Sequence, residues 1–210
     1  PVDPTATKKN AKDKAATAAA PKGAGEIRII GGQWKRTRLP VAQRPGLRPT
    51  PDRVRETLFN WLGQDLSGWR CLDAFAGTGA LGLEAASRGA ASVQLVESDA
   101  ALVAQLQVLQ AKLQASEVRV QRGDGVAALK QAAPASVDLV LLDPPFDGDL
   151  FAPALQAAAK AVAAQGFIYL EAPRAWTDEE LAGSGLAVYR HLKAGAVHAH
   201  LLRPVAATTE

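Results

Sequence analysis

Between residues 71 and 170, short apolar runs alternate with longer stretches whose apolar side chains recur at helical spacing. The runs typical of strands are 71–74, 93–97, 118–120, 137–143 and 167–170, and the helical stretches are 81–87, 100–113, 126–131 and 154–164. Such alternation produces a mostly parallel sheet covered by helices on both faces. Two further apolar runs, 186–192 and 197–202, predict a closing hairpin. The sequence therefore predicts an α/β, Rossmann-like fold with a mostly parallel seven-stranded sheet and a C-terminal antiparallel hairpin.

The N-terminal part of the chain has a different character. Residues 1–25 are mostly Ala, Lys, Thr and Pro, with too few large apolar side chains to offset the entropy of ordering. We therefore predict a disordered tail. Residues 26–49 predict a small basic β-hairpin and loop, with strands at 27–30 and 34–39 joined by the turn signal Gly31-Gly32.

A helix start marks the beginning of the main domain. Thr50 is predicted as the N-cap and Pro51 as the first helical residue, since Pro is favoured at that position. An apolar face follows at helical spacing, formed by Val54, Leu58, Trp61 and Leu62. We assign residues 50–205 to one α/β domain.

Charge is distributed unevenly along the chain. The formal net charge of +3 combines a net +8 in residues 1–70 (14 Lys/Arg, 6 Asp/Glu) with a net −5 in the remainder (10 and 15). A basic end of this kind favours a polyanionic partner, although a solvated charged face is the alternative. Eight of the basic residues fall within residues 28–55. The predicted RNA contacts are Arg28, Trp34, Lys35, Arg36, Arg38, Arg48, Arg53 and Arg55.

Several function classes find no support in the sequence. The single cysteine, Cys71, cannot form a disulfide framework and fits a reducing compartment. We find no apolar run of about 18 residues for a membrane span, no signal-peptide core and no nucleophile motif such as G-x-S-x-G. The three histidines lack the spacing of a metal site. We expect a cytoplasmic, monomeric protein without a metal.

The end of the first predicted strand carries a glycine-rich turn. Gly77, Gly79 and Gly82 form a G-x-G-x-x-G pattern, which allows a tight turn and close backbone approach to a ligand. The pattern alone also describes dinucleotide-binding folds. Asp73, four residues before the first glycine, would repel a pyrophosphate, whereas it would attract the ammonium and sulfonium groups of S-adenosylmethionine. The combination favours S-adenosylmethionine over a nicotinamide cofactor.

The next two strand ends also carry acidic residues. Glu97 ends the second strand, where a carboxylate can accept both hydroxyls of a ribose. Asp124 lies between two glycines after the third strand, where it either accepts a hydrogen bond from an adenine amine or only forms a turn. Phe75 and Gly125, in these same turns, complete the set of predicted cofactor contacts.

The fourth strand runs into Asp143-Pro144-Pro145-Phe146. The two prolines restrict the backbone and remove two N–H donors, so that their carbonyls and the Asp143 carboxylate present only acceptors. An exocyclic amine requires such acceptors to orient its nitrogen. Phe146 offers a flat face for a base turned out of its stack. We predict these four residues to be the catalytic ones, although a proline-terminated strand with a core Phe is the structural alternative.

With these residues considered together, the chain resembles the class I S-adenosylmethionine-dependent methyltransferases. It is most similar to the bacterial RsmD-type family, which methylates guanine N2 in small-subunit ribosomal RNA. The resemblance spans about residues 26–205, and its most specific part is residues 48–62. The matching segments are 29–35 (IIGGQWK), 48–62 (RPTPDRVRETLFNWL), 73–79 (DAFAGTG) and 143–146 (DPPF).

The resemblance implies a role for each site. Asp73, Gly77 and Gly79 would hold the methionine part of S-adenosylmethionine, Glu97 the ribose and Asp124 the adenine. Residues 143–146 would hold and stack the guanine. The implied substrate is 16S rRNA in an assembled or nearly assembled 30S subunit, with direct methyl transfer and no covalent enzyme intermediate.

Three other functions stay open from the residues alone. The first is an adenine-N6 or cytosine-N4 methyltransferase, which carries a similar tetrapeptide, although 210 residues leave little room for a DNA-recognition domain. The second is an NAD-dependent oxidoreductase, which Asp73 and the Pro-Pro strand end oppose. The third is a non-catalytic RNA-binding assembly factor, for which the basic segment would suffice.

Overall fold

The computed structural model describes residues 25–41, 44, 47–146 and 148–206, so nearly all of the tail predicted at residues 1–25 lies outside the described residues. The described elements, in chain order, are β1 (Glu26–Arg28), β2 (Arg38–Pro40), α1 (Asp52–Trp61), β3 (Arg70–Asp73), α2 (Ala80–Ser87), β4 (Ser92–Glu97), α3 (Ala100–Leu113), β5 (Val118–Arg122), α4 (Gly125–Gln131), β6 (Val137–Leu142), α5 (Phe151–Ala161), β7 (Val162–Ala172), α6 (Asp178–Ala182), β8 (Leu186–Ala194) and β9 (Val197–Pro204).

Seven of the strands form one sheet in the order β5-β4-β3-β6-β7-β9-β8. The first five of these are parallel to one another, and β9 runs antiparallel to both β7 and β8. The prediction of a mostly parallel α/β sheet with a C-terminal hairpin is confirmed. From β3 the chain builds outward to β4 and β5 and then returns to β6 on the other side. The switch point therefore lies between β3 and β6, where ligands of open α/β sheets bind.

The sheet separates two apolar cores. Leu139 and Leu141 of β6 face one core, which also receives side chains from α1, α2 and α3. Val140 and Leu142 face the other, which α4 and α5 cover. Since successive side chains of a strand point to opposite faces, a continuous apolar run is what a strand buried on both sides requires.

The N-terminal hairpin is shorter than predicted. Residues 31–36 form a turn instead of continuing the strand predicted at 34–39, so the second strand is only β2. The turn lies against the end of α2, where the backbone N–H of Gln33 donates to the Ser87 carbonyl (2.8 Å) and that of Trp34 donates to Ser87 Oγ (3.0 Å). Gly32 has φ +76°, and a Cβ there would meet the Ser87 carbonyl oxygen at 1.9 Å. Contacts with α2 therefore hold residues 31–36 in a turn, although the Ile29 backbone still pairs with Arg36 and Thr37 across the hairpin.

The predicted N-cap at Thr50 is wrong. Helix α1 begins at Asp52 after Pro51, and no side chain caps it. The Thr50 hydroxyl instead donates a 2.6 Å hydrogen bond to the buried carboxylate of Glu171. A bond to a charged acceptor in the interior is stronger than a cap at an exposed helix end, which explains the difference.

Two boundaries near the C-terminus also differ from the sequence-based expectation. Strand β7 begins at Val162, five residues before the predicted strand, and helix α5 ends correspondingly earlier. Helix α6 was not predicted; Thr177 and Glu180 form a capping box at its start.

In the described residues, no helix is long and apolar enough to cross a lipid bilayer.

Candidate active site at the carboxyl ends of the strands

Four acidic side chains lie at the carboxyl ends of neighbouring strands. Glu97 ends β4, Asp73 ends β3, Asp143 follows β6, and Glu171 lies one residue before the end of β7. Since these strands are parallel and adjacent, their ends meet at one edge of the sheet. The structure thereby brings three predicted site residues together with Glu171, which the sequence analysis did not include.

Asp73 is almost completely buried, with 1% of its surface exposed. Its Oδ2 accepts a hydrogen bond from the backbone N–H of Gly82 at 3.2 Å, whereas Oδ1 has no hydrogen-bond partner among the described residues. Burial raises the pKa of Asp73 to about 7, against the opposing effect of the Gly82 N–H, and the charges of Glu97 and Glu171 raise it further. A buried carboxylate oxygen without a partner fits a cationic ligand group.

The glycine turn lies directly beside these carboxylates. Gly77 (φ +54°) and Gly79 (φ +83°) both adopt left-handed backbone, and α2 begins at the following residue. A Cβ on Gly79 would approach the Leu106 side chain to 2.6 Å. The Gly77 N–H donates to Glu97 Oε1 at 3.1 Å, and the Asp99 N–H donates to Oε2 at 2.8 Å. These bonds orient the Glu97 carboxylate, each oxygen of which retains capacity for a ribose hydroxyl.

The turn after β5 joins the same edge. Asp124 caps α4 by accepting from the Val126 N–H at 2.9 Å, and its side chain is exposed. Gly125 packs against the end of β3, because a Cβ on it would meet the Ala74 carbonyl oxygen at 2.1 Å and the Phe75 ring at 3.1 Å. The predicted cofactor residues in these turns are thus neighbours in space. Gly125 is required for this close backbone packing.

The tetrapeptide after β6 combines buried and exposed groups. Asp143 is half-buried and Pro144 buried, whereas Pro145 and Phe146 are exposed. The Phe146 side chain is 41% exposed, and its ring centroid lies 6.3 Å from that of Phe151. A large apolar ring held in solvent beside a carboxyl group is suited to stacking on a planar ligand that also carries an amine.

The sequence analysis missed a hydrogen-bonded group behind Asp143. Glu171 Oε1 accepts from the Tyr169 hydroxyl at 2.7 Å and from the Thr50 hydroxyl at 2.6 Å, and all three residues are buried. Burial raises the pKa of Asp143 well above its ordinary value, and the charge of Glu171 and a hydrogen bond to it act in the same direction. The signal available in the sequence was Tyr169 and Glu171, two polar residues on one face of an apolar strand.

The basic segment divides into exposed and buried members. Arg55 was predicted to contact RNA, but it is 1% exposed and its Nη1 donates to the buried Glu84 at 3.2 Å. Arg55 is therefore not accessible to RNA, and this predicted contact is wrong. Trp34 is only half-exposed, because its ring packs against the main core. The other predicted RNA contacts are exposed, namely Arg28, Lys35, Arg36, Arg38, Arg48 and Arg53.

The loop after β2 brings the basic segment to the glycine turn. A Cβ on Gly77 would lie 3.2 Å from the side chain of Leu47, so the loop packs on the turn. Arg44 forms a 3.1 Å ion pair with Asp99, which follows β4. The exposed cations of this loop and of α1 consequently border the acidic edge of the sheet.

The arrangement defines a class of protein. A seven-stranded sheet of this order, a glycine turn after β3 and acidic residues at the neighbouring strand ends are the features of a class I methyltransferase, whose cofactor is S-adenosylmethionine. The chain belongs to the family described as Conserved hypothetical protein 95, which matches residues 27–203. The unpartnered Asp73 oxygen and the tight glycine turn fit that cofactor.

Known proteins similar to the chain include a curated relative and two solved structures. Ribosomal RNA small subunit methyltransferase D of Escherichia coli is 52% identical over 124 residues, 59% of this chain and 62% of that protein, so the match spans less than two thirds of the relative. A putative methyltransferase of Escherichia coli, yhhF, has a TM-score of 0.75 at 36% identity and is aligned over 87% of this chain and 100% of its own. A Thermus thermophilus 16S rRNA N2 methyltransferase solved with AdoMet and guanosine has a TM-score of 0.68 at 25% identity, covering 87% and 50%.

Proposed function

We propose that this protein transfers a methyl group from S-adenosylmethionine to the exocyclic N2 amine of a guanine in 16S rRNA, within the 30S subunit. The observation that carries the proposal is that Asp143 and the exposed Phe146 both follow β6 at the sheet's switch point, next to β3, whose last residue is the buried Asp73. Relatives described as ribosomal RNA small subunit methyltransferases support the RNA substrate. A structural neighbour solved with AdoMet and guanosine supports the base.

Asp73 and the glycine turn would hold the methionine part of the cofactor. The unpartnered Asp73 oxygen is an acceptor for the cationic ammonium group, and Gly77 and Gly79 leave the turn free of side chains. Glu97 would accept the ribose hydroxyls, and Asp124 the adenine amine. When bound, S-adenosylmethionine supplies the methyl group at a positively charged sulfur.

The tetrapeptide would hold the base. The Asp143 carboxyl and the Pro144 carbonyl would accept hydrogen bonds from the guanine amine, and the Phe146 ring would stack on the purine. Both acceptors stabilise positive charge that develops on the nitrogen as it becomes tetrahedral. Holding the amine in line with the methyl group contributes much of the rate, since positioning replaces an encounter in solution.

The exposed cations of residues 28–53 would contact the RNA backbone. Phosphate contacts fix the register of a nucleic acid without reading its sequence. The loop that carries Arg48 packs on the glycine turn through Leu47, so phosphate binding there places the RNA beside the site. A 30S particle offers a folded RNA surface that such a distributed set of cations can recognise.

The experiment is a methylation assay on 30S subunits and on naked 16S rRNA, both from a strain lacking this enzyme, with methyl-labelled S-adenosylmethionine and mapping of the product. We expect label on guanine N2 in the 30S subunits. Asp143→Ala should abolish transfer and retain cofactor binding in isothermal titration, whereas Glu179→Gln, at an exposed carboxylate of α6, should behave as wild type. Label on adenine, or binding to 30S subunits without any transfer, would overturn the proposal.

A further inference from the structure

The C-terminal hairpin of β8 and β9 differs in charge from the rest of the α/β domain. Residues 186–204 contain three Lys/Arg and no Asp/Glu, whereas residues 71–185 contain seven Lys/Arg and 14 Asp/Glu. Strand β8 is an edge of the described sheet, and charged side chains protect such an edge from pairing with another chain. Charges of either sign would serve that purpose, so the use of cations alone favours an anionic partner.

Two of these cations are gathered on one aromatic ring. The Cζ atoms of Arg190 and Arg203 each lie 4.3 Å from the centroid of the Tyr189 ring. Arg190 Nη1 also donates to the Tyr189 carbonyl at 3.1 Å. The ring itself is held in place, since its centroid lies 5.8 Å from that of Phe167 and it packs against the apolar core that α1 covers. The two guanidinium groups are therefore close neighbours on a fixed support.

These two guanidinium groups lack a counter-charge. Among the residues that the structure describes, neither forms an ion pair, and both side chains are exposed. By contrast, the exposed Arg70 and Arg174 each pair with a carboxylate. A guanidinium group that stacks on a ring keeps its N–H edge free, and that edge matches the geometry of phosphate oxygens. The hairpin therefore presents two adjacent groups suited to phosphate.

The register of the hairpin places both arginines on the face of the sheet that α1 covers. Arg190 pairs with Leu201, and Arg203 follows two residues later on β9, so their side chains share one face. Leu201 belongs to the core that α1 covers, and α1 packs against β8. Helix α1 also carries the exposed Arg53, a proposed phosphate contact. The cations of the hairpin thus lie on the same side of the sheet as the helix that ends the basic segment.

The arginines are too far from the candidate site to contact the target nucleotide itself. Leu202, next to Arg203, pairs with Ile168, which is three residues before Glu171 on β7, or about 10 Å at about 3.3 Å per residue. Strand β9 is also two strands away from β6, which adds about 10 Å across the sheet. Any RNA bound at the hairpin is consequently a different segment of the same folded molecule.

We infer that Arg190 and Arg203 bind the phosphate backbone of the RNA substrate at a second contact, separate from the basic loop beside the glycine turn. The inference rests on the proposed function for the identity of the polyanion. Two separate phosphate contacts fix the orientation of a folded RNA on the protein without reading its sequence. The hairpin would thereby help to align the particle so that one guanine reaches the site.

The test is the salt dependence of binding to 30S subunits from a strain lacking this enzyme, measured by filter binding. In Arg190→Gln and Arg203→Gln the slope of log K against log salt concentration should fall by about 0.7–0.9 each, and by about 1.5 in the double variant. The Kd of S-adenosylmethionine should change by less than about twofold, because its site is remote. An unchanged slope in the double variant would overturn the inference.

Two controls separate charge on this face from other effects. Lys193→Gln removes an exposed lysine of the same hairpin, which pairs with His198 and therefore lies on the other face, and it should keep the wild-type slope. Replacing both arginines with Lys keeps both charges and should also keep the slope, although affinity can fall because Lys binds phosphate as a point charge. Loss of slope in either control, equal to that of the Gln variants, would overturn the inference.

Binding is measured without methyl transfer, so the two proposals fail separately. A wild-type protein that does not methylate 30S subunits, yet loses slope in the double variant, would refute the proposed function and retain the contact. A protein that methylates guanine N2, while the double variant binds with the wild-type slope, would refute the inference alone.

Discussion

Thr50 and Glu171 are 121 residues apart in the chain and are joined by a buried 2.6 Å hydrogen bond. Thr50 ends the basic loop that packs on the glycine turn. Glu171 lies on β7, next to β6, the strand that Asp143 follows. The bond therefore ties the segment proposed to contact RNA to β7, which pairs with the strand that Asp143 follows. A movement of the loop at Thr50 would therefore act on the strand ends of the candidate site through the Glu171 side chain.

A second buried link fixes the hairpin to α2, the helix that follows the glycine turn. The carboxylate of Glu84, in α2, accepts from the backbone N–H groups of Ile30 and Gly31 and pairs with the guanidinium groups of Arg55 and Arg88. Glu84→Gln leaves the buried Arg88 without a counter-charge among the described residues and leaves Arg55 paired only with the half-exposed Asp52, so we expect it to lower the free energy of unfolding by about 3–5 kcal/mol. Urea denaturation measures this. Glu56→Gln, exposed on α1, is the matched control and should change stability by less than about 0.5 kcal/mol.

Close backbone packing at Gly125 gives a prediction with a control two residues away. A Cβ at Gly125 would meet the Ala74 carbonyl oxygen at 2.1 Å, whereas one at Gly123 has only the Gln121 side chain near it, at 3.9 Å. Gly125→Ala should lower the free energy of unfolding by about 1–3 kcal/mol, and Gly123→Ala by less than about 0.5 kcal/mol. Equal effects of the two substitutions in thermal unfolding would contradict the packing described.

The pKa of Asp73 predicts how cofactor binding depends on pH. Its pKa is raised to about 7, so the carboxyl is mostly neutral at pH 6 and mostly ionised at pH 8. A cationic ligand binds the ionised form, and affinity for S-adenosylmethionine should therefore fall about tenfold from pH 8 to pH 6. Isothermal titration at the two values measures the change. In Asp73→Asn the affinity should be weaker at pH 8 and nearly independent of pH; a tenfold change that survives in this variant would assign it to another group.

The exposed cations predict a salt dependence of RNA binding. Replacing Lys35, Arg48 and Arg53 with Ala should reduce the slope of log K against log salt concentration by about 2, at about 0.7–0.9 for each lost phosphate contact. Filter binding to 30S subunits or 16S rRNA over a range of salt measures the slope. Affinity for S-adenosylmethionine should not change. The control is Lys160→Ala, at an exposed lysine on α5. The Lys160 carbonyl accepts from the backbone N–H of Ala135, just before β6, so this lysine lies at the opposite edge of the sheet. An equal loss of slope in this control would place the RNA elsewhere.

Local patterns were sufficient to predict much of the site. The apolar run of residues 137–143 indicated a strand buried on both faces, and the residues just after it carry the tetrapeptide. Asp73, Glu97 and Asp143 could be identified because ligands of parallel sheets bind at the strand ends, and the position of a residue at the end of a strand is visible in the chain. The glycine turn was visible for the same reason.

Partners distant in sequence could not be predicted in this way. Arg55 is basic and lies among seven other basic residues in the sequence, as an RNA contact would. In the structure it forms a buried ion pair with Glu84 of α2. Thr50 is of a residue type favoured as a helix N-cap, yet its hydroxyl donates to Glu171 of β7 instead. In both cases a local interaction at the surface competes with a charged partner in a low-dielectric interior, and the interior partner forms the stronger bond.

The sequence by itself thus determined the order of the strands and of every helix except α6, the edge of the sheet that carries the candidate site, and three of the four acidic residues at the ends of β3, β4, β6 and β7, because hydrophobic periodicity and turn chemistry are local properties. Only the tertiary structure decided which polar side chains meet behind that edge. It placed Thr50 against Glu171 and buried Arg55 against Glu84, because a hydrogen bond between distant residues depends on how the helices and strands pack and leaves no pattern in the chain.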